Sequence, residues 1–144
     1  MERPDIEHII TDHGLTESVR LFVFQDNPFP YMKVTDLLVC SSNYEGFSTD
    51  ITESVILCKP VVMTDCSGMR EIFEESEYGL ITENSVEAFC EGVTKLLTDT
   101  SLRANYTVKA SGIFLCRHWF NCRAILQNNP RNATIKLTYS VSVY

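Results

Sequence analysis

The chain is predicted to be an α/β domain, a parallel sheet covered by helices on both faces. Short apolar runs at residues 37–40 and 61–63 have the length and composition of buried strands, and a helical segment at 48–58 lies between them. The alternation then continues, with a short apolar run at 78–81 followed by a strongly periodic helix at 85–99. Strand, polar loop, helix and strand make a βαβ unit. The strands of such a unit are parallel and its crossover is right-handed, and repeated alternation of this kind builds a helix-covered parallel sheet. Ligands of such sheets sit at the carboxyl ends of the strands, beside helix N-termini.

Taken in order, residues 4–13 read as a short amphipathic helix, with Ile6, Ile9 and Ile10 on one face and Gly14 suited to its C-cap. Residues 19–24, with LFVF at their centre, read as a strand. Residues 25–30 are a turn dense in Asn, Asp and Pro, and 31–35 make one helical turn. Asp36 opens the strand at 37–40, and Pro60 primes the strand at 61–63. A helix is expected from about Met69 through 70–75. In the helix at 85–99, Ser85 is the cap, and Val86, Phe89, Val93, Leu96 and Leu97 form the buried stripe. A further helix is expected at 102–116.

A chain of 144 residues is one domain by length and can bury a real core. Its 44% apolar and 22% charged content is that of a water-soluble globular chain. No apolar run reaches the ~20 residues of a membrane span, and the first residues lack the pattern of a signal peptide. Six cysteines show no CxxC or Cys/His metal spacing. Cys40, Cys58, Cys90 and Cys116 fall in apolar segments, so buried free thiols in a reducing cytoplasm are expected rather than a disulfide framework.

All 19 acidic side chains precede residue 100, where they outweigh six basic ones; residues 100–144 carry six bases and no acid. The acidic part argues against nucleic acid as a partner, because phosphate contacts drive that affinity. The basic side chains of the last part are spread singly and form no patch.

The loop after residue 40 carries the candidate chemistry. Glu45 and Gly46 stand just before the expected helix, and Glu53 lies within it, with seven residues between the two acids. Carboxylates near a positively polarised helix end are poor phosphate ligands but good acceptors for sugar or ribose hydroxyls. Each has a plainer reading. Glu45 alone could be a solvated loop acid, although Gly46 beside it lets backbone approach a ligand closely. Glu53 could complete a capping box with Asp50. Ser48 and Thr49 read as N-caps, and their backbone N–H groups with that of Phe47 could also face a phosphate. Gly68 reads as a turn glycine, and Tyr44 as either a surface aromatic or part of a nucleotide pocket. His8, His13 and His118 have no carboxylate or Cys at catalytic spacing.

Together, Glu45-Gly46-Phe47, Glu53, Lys59-Pro60-Val61-Val62 and Ser67-Gly68 resemble the donor-binding half of retaining glycosyltransferases of the group 1 family. The resemblance extends to the turn at Asn27 to Tyr31 and to Glu71 and Gly79. Two positions depart from it: Cys58 stands where a glycine usually precedes Lys-Pro, and Ser54 where an alanine follows the second acid. A non-glycine residue at 58 is expected to strain the helix C-cap.

The resemblance implies the Rossmann-like C-terminal half of a GT-B fold, incomplete at its N-terminal edge. Residues 1–122 would form a partial domain for a nucleotide-sugar donor, and 123–144 an atypical tail that ends in alternating, strand-like TIKLTYSVSVY. It further implies retaining transfer from a UDP- or GDP-sugar to an acceptor hydroxyl, in glycan or polysaccharide synthesis in the cytoplasm, with no metal or other cofactor. Glu45 would be the catalytic-site acid holding donor-sugar hydroxyls. Gly46, Phe47, Ser48 and Thr49 would cradle the phosphates, and Glu53 would accept from the ribose. The family's Arg and Lys for the diphosphate would lie upstream, as would the acceptor domain, leaving Arg70 as a nearby substitute. The chain alone would then be weak or inactive. The rival reading is a nucleotide-binding or interaction fragment without turnover. A signalling receiver domain fits poorly, because Asp36 begins its strand instead of following one.

Overall fold

A computed structural model describes residues 3–44, 48–66 and 77–112. The elements, in chain order, are α1 (Arg3–Asp12), α2 (Phe29–Lys33), β1 (Leu38–Cys40), α3 (Thr49–Ile56), β2 (Val61–Thr64), β3 (Gly79–Thr82), α4 (Val86–Thr98) and α5 (Thr100–Ser111). The strands form one parallel sheet in the order β1-β2-β3. Leu38 pairs with Val61 and Cys40 with Met63, while Val61 pairs with Gly79 and Thr64 with Thr82.

The alternation of side chains along each strand splits the core into two layers. On one face Leu38, Val61 and Met63, with Cys40 and Ile81, pack against Ile51 and Val55 of α3 and Met32 of α2. On the other, Leu37 and Val62, with Val39 and Leu80, meet Phe89, Val93, Leu96 and Leu97 of α4 and Leu102 and Tyr106 of α5. Tyr106 belongs to the second layer and Ala110 to the first, so α5 joins the two. Helices cover both faces, and β2 is buried along its whole length. Such a strand reads as an unbroken apolar run because neither face meets water.

Most expected elements are present. The exception is the strand at 19–24: these residues lie in no strand, and Phe24 is 89% exposed. Among the described residues, no backbone–backbone bond joins residues 20–24 to a neighbour, and the Val23 and Phe24 carbonyls accept only from the Gln25 side chain. Phe22 instead meets the Tyr31 ring at 4.8 Å, with the Arg20 guanidinium 5.1 Å from its centroid. β propensity without an adjacent strand does not make a ladder. Val86, expected in the buried stripe of α4, is 75% exposed, since it occupies the first turn beside the loop that follows β3.

The thiol expectation divides: Cys40 and Cys90 are free, but Cys90 is exposed, and Cys58 is disulfide-bonded. The expected strain at the end of α3 is present, since Cys58 has φ +57°. The helix expected at 69–75, the end of the one expected at 102–116 and the tail from 123 lie outside the described residues.

Candidate donor site at the start of α3

The parallel βαβ order brings the N-terminus of α3 to the carboxyl end of β1. Ser48 is the N-cap, buried, with extended backbone at φ −89° and ψ 111°. Thr49 is the first helical residue and is exposed, and Glu53 is half-buried one turn further on. Glu45, Gly46 and Phe47 lie outside the described residues, as do Gly68, Arg70 and Glu71.

The start of α3 differs from the starts of the two helices that follow β3. In α4 the Ser85 hydroxyl accepts from the Ala88 amide at 3.2 Å, and in α5 the Asp99 carboxylate accepts from Leu102 at 2.8 Å. Ser48 makes no such bond. The first bond of α3 runs from the Thr52 amide to the Ser48 carbonyl at 3.2 Å. The amides of Thr49, Asp50 and Ile51 therefore meet no protein acceptor among the described residues. N–H groups with no acceptor among the described residues, at the positive end of a helix dipole, are suited to an anion.

The capping-box reading of Glu53 does not hold, because Asp50 sits inside the helix and Ser48 occupies the cap. Burial raises the pKa of Glu53, and the nearby Asp50 carboxylate raises it further. A carboxylate held partly out of water gains from hydroxyl donors that water no longer supplies. Ser54, at the position that departs from the resemblance, is fully buried and turns its hydroxyl onto the Asp50 carbonyl at 2.8 Å, so the polar substitution is satisfied inside the helix.

Two threonines missed by the sequence reading lie at the same edge. The Thr64 hydroxyl donates to the Ser42 carbonyl, and the Thr82 hydroxyl to the Met63 carbonyl at 3.3 Å. Each is the last residue of a strand, a position that carries no signal of its own in the sequence.

The comparisons with known proteins agree with this geometry. The family model for glycosyl transferases group 1 matches residues 2–111. The chain belongs to that family. It is 36% identical over 104 residues to the N-acetylgalactosamine-N,N'-diacetylbacillosaminyl-diphospho-undecaprenol 4-alpha-N-acetylgalactosaminyltransferase of Campylobacter jejuni, covering 71% of this chain and 28% of that protein. It is 31% identical over 103 residues to a lipopolysaccharide core biosynthesis glycosyltransferase of Rhizobium meliloti, covering 71% and 30%. The chain thus spans less than a third of the length of these curated relatives. Among solved structures, sucrose-phosphate synthase from Thermosynechococcus elongatus superposes with a TM-score of 0.68 at 22% identity, over 85% of this chain and 31% of that one. The likeness shows the fold: the sheet and its helices are the Rossmann-like arrangement of a GT-B protein. Among the described residues no helix is long and apolar enough to cross a membrane.

Proposed function

We propose that the chain is the donor-binding part of a glycosyltransferase. It would transfer a sugar from a UDP- or GDP-sugar to an acceptor hydroxyl, with retained anomeric configuration, in cytoplasmic glycan or polysaccharide synthesis. The observation that carries this reading is the start of α3, where Ser48 makes no side-chain cap bond, at the carboxyl edge of a parallel sheet, in a member of the group 1 family. Its first-turn amides suit a diphosphate, and they would stabilise the negative charge that grows on the leaving phosphate, as a preorganised set of donors does. Glu53, one turn into the helix, would accept from the ribose hydroxyls. Glu45 would hold donor-sugar hydroxyls near the reacting carbon, with Gly46 and Phe47 extending the phosphate cradle toward Ser48 and Thr49. In this reading no metal takes part, and an acceptor domain, in the same polypeptide or in another chain, completes the cleft.

Calorimetry with UDP and GDP tests the binding half of the proposal. Glu53→Ala should weaken binding by about 1.5–3 kcal/mol, the range for a hydrogen bond to a charged group, and Glu53→Gln by less. Equal affinity of wild type and Glu53→Ala would remove Glu53 from the ribose site.

The rival reading, nucleotide binding without turnover, applies to these 144 residues taken by themselves, which span less than a third of the length of the relatives. Much of an enzyme's rate comes from positioning the nucleophile in a closed, dry cleft. The 144 residues alone should then fall well below ~1 s⁻¹ in a donor-hydrolysis and transfer assay.

A further inference from the structure

Ser48 joins α3 through its backbone and leaves its side chain uncommitted. Its carbonyl accepts from both the amide and the hydroxyl of Thr52, at 3.2 and 3.1 Å, which holds the residue at the cap position. Its own hydroxyl caps no amide and has no other partner among the described residues. The residue is nevertheless 7% exposed. Every described side-chain nitrogen or oxygen that is sealed from water has a partner. The Ser48 oxygen is therefore not sealed, and the small surface that the residue keeps includes it. An N-cap side chain on extended backbone stands at the mouth of the first turn, so this hydroxyl opens beside the amides of Thr49, Asp50 and Ile51.

A largely buried hydroxyl that forgoes an available cap bond calls for a reason. Ser85, the same residue at the same position of α4, is exposed and does accept from its helix, from the Ala88 amide at 3.2 Å. The first turn of α3 also carries Asp50, whose carboxylate offsets part of the attraction of the helix end for an anion. A neutral donor added there strengthens the hold on an anion without changing the charge. A hydroxyl that donates to an ionised oxygen makes a bond about twice as strong as one between neutral groups. Because Thr52 already holds Ser48 in place, little further ordering is needed when a ligand arrives.

We propose that the Ser48 hydroxyl is a side-chain ligand of the donor's diphosphate, donating to a phosphate oxygen within reach of the first-turn amides of α3. The proposal rests on the donor-site reading and deepens it. That reading uses the backbone of this turn, which any residue supplies, whereas the hydroxyl is a contact that an alanine at position 48 lacks.

The test compares Ser48→Ala with Ser85→Ala in the 144-residue chain, because the two serines are expected to behave oppositely. UDP, GDP and inorganic pyrophosphate are titrated and followed by the amide chemical shifts of residues 49–51, and thermal unfolding is measured without ligand. Ser48→Ala should weaken binding of nucleotide and pyrophosphate alike, by at least about tenfold, as the loss of a hydrogen bond to a charged oxygen does. Its melting temperature should not fall. Ser85→Ala should lower the melting temperature, because it loses a cap bond, and leave every affinity unchanged. If Ser48→Ala does not fold, Ser48→Gly removes the hydroxyl at a position that glycine tolerates and takes its place.

Wild-type affinities in the variant without the hydroxyl would overturn the proposal. So would a fall in melting temperature as large as that of Ser85→Ala, which would make Ser48 an ordinary cap, or a wild type that binds none of the three ligands. If wild type binds pyrophosphate but neither nucleotide, the donor-site reading fails, while the pyrophosphate affinity of Ser48→Ala still decides whether the hydroxyl holds phosphate.

Discussion

Residues 37–40 and 21–24 are both four-residue runs of apolar side chains, LLVC and LFVF, with opposite fates. The first contains the whole of β1, preceded by Leu37. It is paired with β2, with Leu37 and Leu38 almost fully buried in opposite layers of the core. The second pairs with nothing among the described residues and leaves Val23 66% and Phe24 89% exposed. The difference lies in what surrounds each run. Residues 37–40 have a strand beside them and a helix layer on each face, whereas 21–24 have one tilted ring contact and a cation over a phenyl ring. Apolar composition makes a segment able to be a strand, and a neighbour's ladder makes it one.

The largest test of that contrast removes equivalent bulk from each run. Leu38→Ala should destabilise the fold by about 2–5 kcal/mol, the cost of lost burial plus the cavity left behind. Phe24→Ala should change stability by less than about 0.5 kcal/mol, as exposed positions do. Urea unfolding of both variants measures the two effects. Comparable losses would mean that residues 21–24 contribute to the core after all.

The same contrast explains how much the sequence revealed. βαβ periodicity was readable at 37–40, 48–58 and 61–63 because both strands carry apolar side chains toward a helix layer on each face and α3 carries a clear apolar stripe. The capping of α4 by Ser85 was equally readable, since its signal lies within four residues. The run at 21–24 carried the same local signal, but whether it pairs is a non-local fact. The cap position at Ser48 and the placement of Glu53 one turn inside α3 followed from the local helix signal. The missing cap bond at Ser48 and the Thr64–Ser42 link did not, because both depend on where a hydroxyl points after the sheet has formed. Cys58 was legible for another reason: the end of α3 requires a left-handed residue, and a non-glycine there stands out against the family pattern.

A middle-sized test probes how closely the covering helices sit. Gly92 of α4 packs so tightly on the sheet that a Cβ there would lie 2.5 Å from Thr82 Cγ2 and 3.2 Å from Leu80 Cδ2. Thr82 cannot rotate away without giving up its bond to the Met63 carbonyl. Overpacking costs about 1–3 kcal/mol, against a gain of about 1 kcal/mol in helix propensity. Gly92→Ala should therefore leave thermal stability unchanged or reduced, although alanine is the better helix former. A clear rise in melting temperature would show that α4 has room to move.

The smallest effect concerns the charge that covering β1 draws partly out of water. α3 lies over β1 and brings Glu53 into a half-buried site beside Asp50, and both burial and that neighbour raise its pKa above the ordinary value of 4.5. Between the unfolded value and the raised folded value, the native state binds more protons than the unfolded one. Stability must then fall as pH rises through that window, and the penalty is complete above the folded pKa. Glu53→Gln has no proton to lose, so the variant should lack this decline, and the difference between wild type and variant should appear just above pH 4.5. Binding has the opposite sign. In the proposed donor site ribose hydroxyls would donate to the ionised carboxylate, so nucleotide affinity should fall as pH drops through the same window in wild type and stay flat in Glu53→Gln. Urea unfolding and nucleotide titration across that range measure both slopes. Parallel stability profiles for the two proteins would mean that solvent reaches Glu53 freely, and that covering β1 with α3 carries no electrostatic cost.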